Sequence, residues 1–171
     1  YTTLFRSMNL IVAVDEKWGI GCDNNLLASI PGDMQYFKEK TTDGVVVMGR
    51  RTLESLPKQR GLPKRINYVL TSNKEFEVER CIAVHSEEEL LKELEQYDPE
   101  HIFIIGGESI YKKFYKHCDK CFVTKMHANL NADKFMVNLD EDEDFKETWK
   151  SEMYSENGID YEFTQIGRAH V

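Results

Sequence analysis

"HIFIIGGESIYKKFYKHC", residues 101–118, runs from a short apolar stretch into a glycine pair and then into a segment with helical spacing. A short apolar run bounded by turn signals reads as a buried strand, and the glycines punctuate its exit into a helix. "GVVVMGRRTLESL", residues 44–56, has the same build. Outward from these two units, "NLIVAV" from residue 9, "INYVLT" from residue 66, "CIAVH" from residue 81 and "KCFVTKMHA" from residue 120 supply further buried-type strands. "SEEELLKELEQY", residues 86–97, carries a capping box in Ser86 and Glu89, with Leu90, Leu91, Leu94 and Tyr97 on one face. Strands that alternate with helices predict an α/β fold whose largely parallel sheet is covered on both faces. The end changes character: "DFKETWKSEMYSENGIDYEFT", residues 144–164, reads as two strands joined at Asn157-Gly158, a hairpin signal.

A length of 171 residues, with 41% hydrophobic and 30% charged, fits one domain able to bury a substantial core, and no linker or repeat divides it. The formal net charge of -8 argues against nucleic acid and anionic membrane as partners, whose phosphates would be repelled. With no run of apolar residues long enough to span a bilayer and no leader pattern, a cytoplasmic monomer is expected. The four cysteines, Cys22, Cys81, Cys118 and Cys121, read as reduced thiols. Cys118-x-x-Cys121 is at most half a zinc site, no second pair completes it, and no metal is expected.

Both ends resemble peptides translated from sequencing-library adapters. "YTTLFRS" at 1–7 reads from TAC ACG ACG CTC TTC CGA TCT, and "IGRAHV" at 166–171 from ATC GGA AGA GCA CAC GTC. The expected natural domain is therefore 8–164, with 1–7 and 165–171 as scars excluded from functional reasoning and a last strand cut short.

Parallel sheets bind ligands beyond the carboxyl ends of their strands, so the residues after each apolar run come first. Gly49, Arg50, Arg51 and Thr52 bring N–H groups, a hydroxyl and two guanidiniums to a helix start, a combination suited to phosphate. Gly106, Gly107, Glu108 and Ser109 open another helix, where glycines let a diphosphate approach the backbone. Thr71, Ser72, Asn73 and Lys74 add polar donors. Without G-x-x-x-x-G-K-[ST] or G-x-G-x-x-G, this set suggests a dinucleotide held in neither the P-loop nor the Rossmann manner. In "SIPGDMQYFKEKT", residues 29–41, Pro31 suits a first helical turn and places Asp33 in it, either answering the helix dipole or doing chemistry.

"IVAVDEKWGIG", "SIPGDMQYFKEKT", "VVVMGRRTLESL", "LPKRINYVLTS" and "FIIGGESIY" resemble, in order, the segments of the dihydrofolate reductase family, from Met8 to about Thr164. The resemblance implies a single domain around an eight-stranded, mainly parallel sheet with an antiparallel C-terminal strand and about four flanking helices. It implies hydride transfer from NADPH to C6 of dihydrofolate with protonation at N5. In that reading Asp33 binds the pterin's N3 and 2-amino groups and assists protonation through water, with Thr124 hydrogen-bonded to it. Phe37 and Leu56 flank the pterin and benzoyl rings, Met34 joins the substrate site, and Arg65 clasps the glutamate α-carboxylate. Val12, Ala13 and Ile105 are backbone and wall contacts to the pterin and nicotinamide. The cofactor segments comprise Ile20 and Gly21, then Gly49, Arg50, Arg51 and Thr52, then Thr71, Ser72 and Lys74. Ile105, Gly106, Gly107, Glu108, Ser109, Ile110 and Tyr111 complete them, with Arg50, Ser72 and Lys74 matched to the 2′-phosphate and Gly106-Gly107 to a pair usually joined by a cis peptide. The chain departs from the family pattern at Leu27-Ala28, where many members have Pro-Trp, and at "ADKFMV". The nearest rival, a pyrimidine reductase of riboflavin synthesis, lacks the reason for Asp33, Phe37 and Arg65 together; an idle nucleotide-binding module lacks the reason for Asp33.

Overall fold

The computed structural model describes residues 8–169; the expected leading scar, 1–7, lies outside the described residues, as do 170 and 171. The chain runs β1 (Met8–Val14), β2 (Gly19–Gly21), α1 (Pro31–Thr41), β3 (Val45–Gly49), α2 (Arg50–Ser55), β4 (Ile66–Leu70) and β5 (Cys81–Val84). It continues through α3 (Glu87–Leu94), β6 (Ile102–Gly106), α4 (Glu108–Phe114), β7 (Cys118–Met126), β8 (Lys134–Phe135), β9 (Phe145–Lys150), β10 (Tyr154–Glu156) and β11 (Ile159–Arg168).

The main sheet follows the order β10-β11-β7-β1-β6-β3-β4-β5, with β9 added to β11. From β7 to β5 every pairing is parallel, whereas β11 runs antiparallel to β7. Continuous apolar strands suit such a sheet because both faces are covered. Successive residues nevertheless alternate sides. Leu10, Val12 and Val14 join one core cluster and Ile11 the other; so do Val45 and Val47 against Val46 and Met48, and Ile102 and Ile104 against Phe103. Leu90 and Leu94 of α3 and Ile110 and Phe114 of α4 close the first face, and Leu53 of α2 with Tyr36 and Phe37 of α1 the second. A one-residue slip would exchange the two sets, so register is tightly specified. The capping box is present: the N–H of Glu89 donates to Ser86 Oγ at 3.0 Å.

Two expectations change at the C-terminal end. Residues 144–164 form three strands rather than two: the Asn157-Gly158 turn, at φ 53° and 77°, joins β10 to β11, but β9 is a separate strand on the other end of β11. Ser151 makes the break, since its N–H donates to the Phe163 carbonyl at 2.8 Å while its Oγ accepts the Phe163 N–H at 2.9 Å. Residues 165–168, expected as a scar following a last strand cut short, continue β11 against both β7 and β9. Thr164 and Ile166 sit two apart on the buried face, and Ile166 is 1% exposed. Arg168 follows with its guanidinium 5.1 Å from the Phe145 ring centroid and 3.2 Å from Asp119.

Candidate active site

Pro31 has no N–H to lose at the first helical turn, and its fixed φ starts α1 directly after the extended Ile30. Asp33 follows two residues later on that turn and points at the sheet. Thr124, on β7 and 2% exposed, donates its hydroxyl to Asp33 Oδ1 at 2.7 Å. Burial pushes the Asp33 carboxyl above the usual carboxylate range, and the Thr124 hydrogen bond works against that rise. Three phenols lie within its field, Tyr36, Tyr111 and Tyr161. Burial, and then the Asp33 charge, push Tyr36 up to about 12 and Tyr111 higher still, so both remain protonated. Tyr111 donates to the Ile11 carbonyl at 2.8 Å. Tyr36 Oη is the one buried side-chain polar atom among the described residues with no protein partner.

Asp15, at the end of β1 and 2% exposed, is a different kind of buried carboxylate. Its oxygens accept the N–H groups of Lys17 at 2.9 Å, Gly19 at 2.8 Å and Leu130 at 3.1 Å. That set fixes the β1–β2 turn and saturates the acid with backbone donors. Among the described residues, Asp33 has a single side-chain hydrogen-bond partner, the Thr124 hydroxyl.

Of the expected substrate residues, Asp33 and Thr124 are in direct contact. Val12 is 7% exposed and Ala13 half-buried on β1, while Phe37, Leu56 and Ile105 edge the second core cluster. Met34 is 56% exposed at the rim. Arg65 lies with its guanidinium 6.0 Å from the Phe37 ring centroid. Its Nε donates to Thr41 Oγ1 at 3.1 Å and its Nη1 to the Pro63 carbonyl at 2.8 Å, which fixes the plane of the fork. Burial lowers its pKa and the charge of Asp43 opposes that.

On the other side of the site the carboxyl ends of β6, β3 and β4 lie next to one another, with Met48 opposite Gly106 and Gly49 opposite Leu70. The two glycine turns pack on each other's helices. A Cβ on Gly49 would stand 3.1 Å from Ile110 Cγ1, and one on Gly106 or Gly107 3.2 Å from Thr52 Oγ1. Gly106 adopts φ 133°, open to glycine, and its bond to Gly107 is cis. This bare-backbone cradle with a hydroxyl at its edge, flanked by the exposed Arg50 and Arg51, suits an anionic dinucleotide. Thr71 is nearly buried beside it, with Ser72 and Lys74 exposed. Arg50 lies 3.9 Å from Glu54 one turn on.

Some expected cofactor residues direct their polar atoms elsewhere. Glu108 Oε2 accepts the Phe135 N–H at 2.8 Å and so ties α4 to β8, while Tyr111 is taken by Ile11. Ile110 is buried and Ser109 exposed. Ile20 packs against the main core, and the Gly21 carbonyl accepts the Asp133 N–H at 2.9 Å beside the β2–β8 pairing. Sequence reasoning missed Tyr36, Asp15 and His85, whose Nδ1 lies 2.8 Å from the Thr71 carbonyl. A signal for His85 existed, since it follows the apolar run of β5 as the other site residues follow theirs. Cys118 and Cys121 are buried free thiols, with burial pushing Cys121 up to about 12.

The family described as dihydrofolate reductase matches residues 7–168. A dihydrofolate reductase of Staphylococcus haemolyticus is 38% identical over 157 residues, spanning 91% of this chain and 87% of its own. One from Bacillus subtilis is 35% identical over 162 residues, covering 91% of each. Among solved structures, the dihydrofolate reductase of Enterococcus faecalis complexed with NADP(H) and RAB-propyl superposes with a TM-score of 0.86 at 28% identity, over 97% of this chain and 98% of that one.

Proposed function

The chain belongs to the dihydrofolate reductase family, and we propose that the residues brought together above are the ones that carry its reaction. The enzyme reduces dihydrofolate to tetrahydrofolate with NADPH. NADPH, when bound, supplies the hydride that adds to C6. The chain's own part is to hold the pterin edge, hold the glutamate tail and manage the proton that goes to N5.

The observation that carries this reading is the half-buried Asp33 carboxyl, bonded to Thr124 at 2.7 Å and raised by burial. A carboxylate in that setting accepts paired N–H donors from the pterin N3 and 2-amino groups, and the partial rise in its proton affinity suits it to pass a proton through water towards N5. Phe37, Leu56 and Ile105 supply apolar walls for the pterin and benzoyl rings, with Met34 at the rim and the backbone of Val12 and Ala13 on β1 as further contacts. Arg65, its plane fixed by Thr41 and Pro63, presents a fork that matches the tail's α-carboxylate.

The glycine cradle fits the cofactor. The glycines let the two turns pack together, Gly49 on Ile110 and Gly106-Gly107 on Thr52, and the helix starts so placed meet the diphosphate through Gly49, Thr52, Gly106 and Gly107, aided by Arg51, Thr71 and the backbone of Glu108 to Tyr111. Arg50, Ser72 and Lys74 meet the 2′-phosphate, while Ile20 and Gly21 line the nicotinamide side. With Leu27-Ala28 in place of Pro-Trp, no indole closes the substrate side, and Ala28 packs instead beside Ile30, Met126 and Tyr161.

The reading extends to a cytoplasmic monomer that binds neither nucleic acid nor membrane. It is supported by the net charge of -8, and no helix among the described residues is long and apolar enough to cross a membrane. It also takes 8–164 as the reductase domain, flanked by adapter-encoded residues of which Ile166 and Arg168 complete β11. Following NADPH absorbance with dihydrofolate tests the whole: turnover dependent on both supports it, and the absence of turnover by folded protein refutes it.

A further inference from the structure

We propose that Glu156 is a positioning residue for the reaction, holding the first turn of α1, and with it Asp33, from across the β10–β11 hairpin. This rests on the assignment of Asp33 to the substrate. The first turn of a helix has N–H groups with no intrahelical partner, and Ile30, at the N-cap, offers no side-chain acceptor. Glu156 supplies one from 124 positions away: its Oε1 accepts the Gly32 N–H at 3.0 Å. Gly32 is the residue immediately before Asp33.

The carboxylate is itself held. Tyr161, 2% exposed, donates its phenol to the same Glu156 oxygen. That phenol stays protonated, since burial first, the Glu156 bond and charge next, and then the charge of Asp33 push it up to about 12. Gly32 completes the fit, because a Cβ there would run into Tyr161 Oη and Glu156 Oε1. The neighbouring hairpin residue takes a second hold: Asn157 Nδ2 donates to the Ser29 carbonyl at 2.8 Å, just ahead of the helix. A third comes from Phe163 of β11, stacked on Tyr36 with centroids 4.1 Å apart and planes 15° apart. Ser29, Gly32 and Tyr36 bracket Asp33, so the hairpin sets where the Asp33 carboxyl stands relative to Thr124. A carboxylate at this end also complements the helix dipole.

Glu156 touches neither substrate nor cofactor in this account, and its effect must pass through Asp33. The test compares Glu156→Ala, Glu156→Gln, Glu156→Asp and Asp33→Asn by kcat, KM for dihydrofolate, Kd for NADPH and melting temperature. Glu156→Ala is expected to lower kcat/KM for dihydrofolate at least about tenfold, within the roughly hundredfold that a displacement of ~1 Å can bring, with NADPH affinity unchanged. Glu156→Gln keeps an acceptor for the Gly32 N–H and is expected to recover most of the loss. Glu156→Asp, which withdraws the oxygen by one methylene but keeps the charge, is expected to fall between them and serves if the alanine variant does not fold. A lower melting temperature with parental kinetics in both shortened variants overturns the proposal, as does equal impairment of Ala and Gln. If Asp33→Asn keeps parental kcat, the Asp33 assignment fails and this proposal falls with it. An inactive Asp33→Asn beside parental Glu156 variants overturns the positioning role alone.

Discussion

Thr124→Val removes the hydroxyl that faces Asp33 while keeping the branched shape that β7 requires at a site 2% exposed. The bond lost is short, 2.7 Å, and its acceptor is a carboxylate when ionised. Hydrogen bonds to charged groups contribute about 1.5–3 kcal/mol, and because Asp33 is only half-buried the lower end applies. A change of ~1.4 kcal/mol is tenfold in proton affinity, so the limb of the kcat profile that Asp33 governs should move upward by about one pH unit. The sign follows from the causes at Asp33: burial raises its pKa, Thr124 opposes the rise, and removing Thr124 leaves burial unopposed. Stability follows the same linkage. A carboxyl raised in the folded state burdens folding fully above its folded pKa and not at all below its unfolded one, so the charge-dependent part of the variant's destabilisation should be present at neutral pH and shrink as pH falls. The assay is kcat against pH with saturating NADPH and dihydrofolate, paired with urea unfolding at several pH values. A profile whose midpoint stays with the parent's, with destabilisation independent of pH, would refute the claim that Thr124 acts on the ionisation of Asp33.

Arg65→Ala should weaken dihydrofolate roughly 10- to 100-fold and leave NADPH unchanged, and Lys should not restore the loss because it lacks the planar fork; titrations of both ligands check this, and parallel losses would mark Arg65 as structural. Arg50→Ala should cut the preference for NADPH over NADH at least about tenfold, read as the ratio of the two kcat/KM values. Removing 165–171 buries Ile166 no longer and breaks the Arg168–Asp119 pair; at about 1.5–3 kcal/mol for the isoleucine alone, calorimetry should show a fall of roughly 3–12 °C in Tm. Removing 1–7 should leave kcat unchanged.

The layered α/β fold was legible because its signals are local. Each buried strand is a short run of Val, Ile, Leu, Met or Phe that ends at a glycine or a polar cluster, and α3 announces itself through Ser86 and Glu89. What failed was set by distant partners. Nothing in the pattern of residues 144–164 says that Ser151 will pair with both the carbonyl and the N–H of Phe163, which divides the expected strand. Ile166 and Arg168 gain their places from β7, β9 and Asp119, so their coding resemblance to an adapter gave no guide to whether they would pack. The site divides in the same way. Asp33, Arg65 and the two glycine turns stand out by type and position, and the likeness to a family supplies their roles. Tyr36 and Glu156 do not stand out: a tyrosine of α1 reads as packing, and an exposed-looking acid 124 residues from Gly32 has no pattern that joins it to α1.

Asp33→Asn tests the central claim most directly. Asparagine keeps the size and can still accept from Thr124, but it removes the one ionisable group placed against the pterin. With folding matched by circular dichroism and NADPH binding intact, kcat is measured across a pH series with ordinary and deuterated NADPH. The account predicts a loss on the order of 10²–10⁴ in kcat at neutral pH, the scale of positioned acid–base assistance, with partial recovery as pH falls and solvent supplies the proton to N5. A variant with parental kcat at neutral pH and the parental pH profile would contradict it and leave Asp33 as a residue of the helix terminus alone.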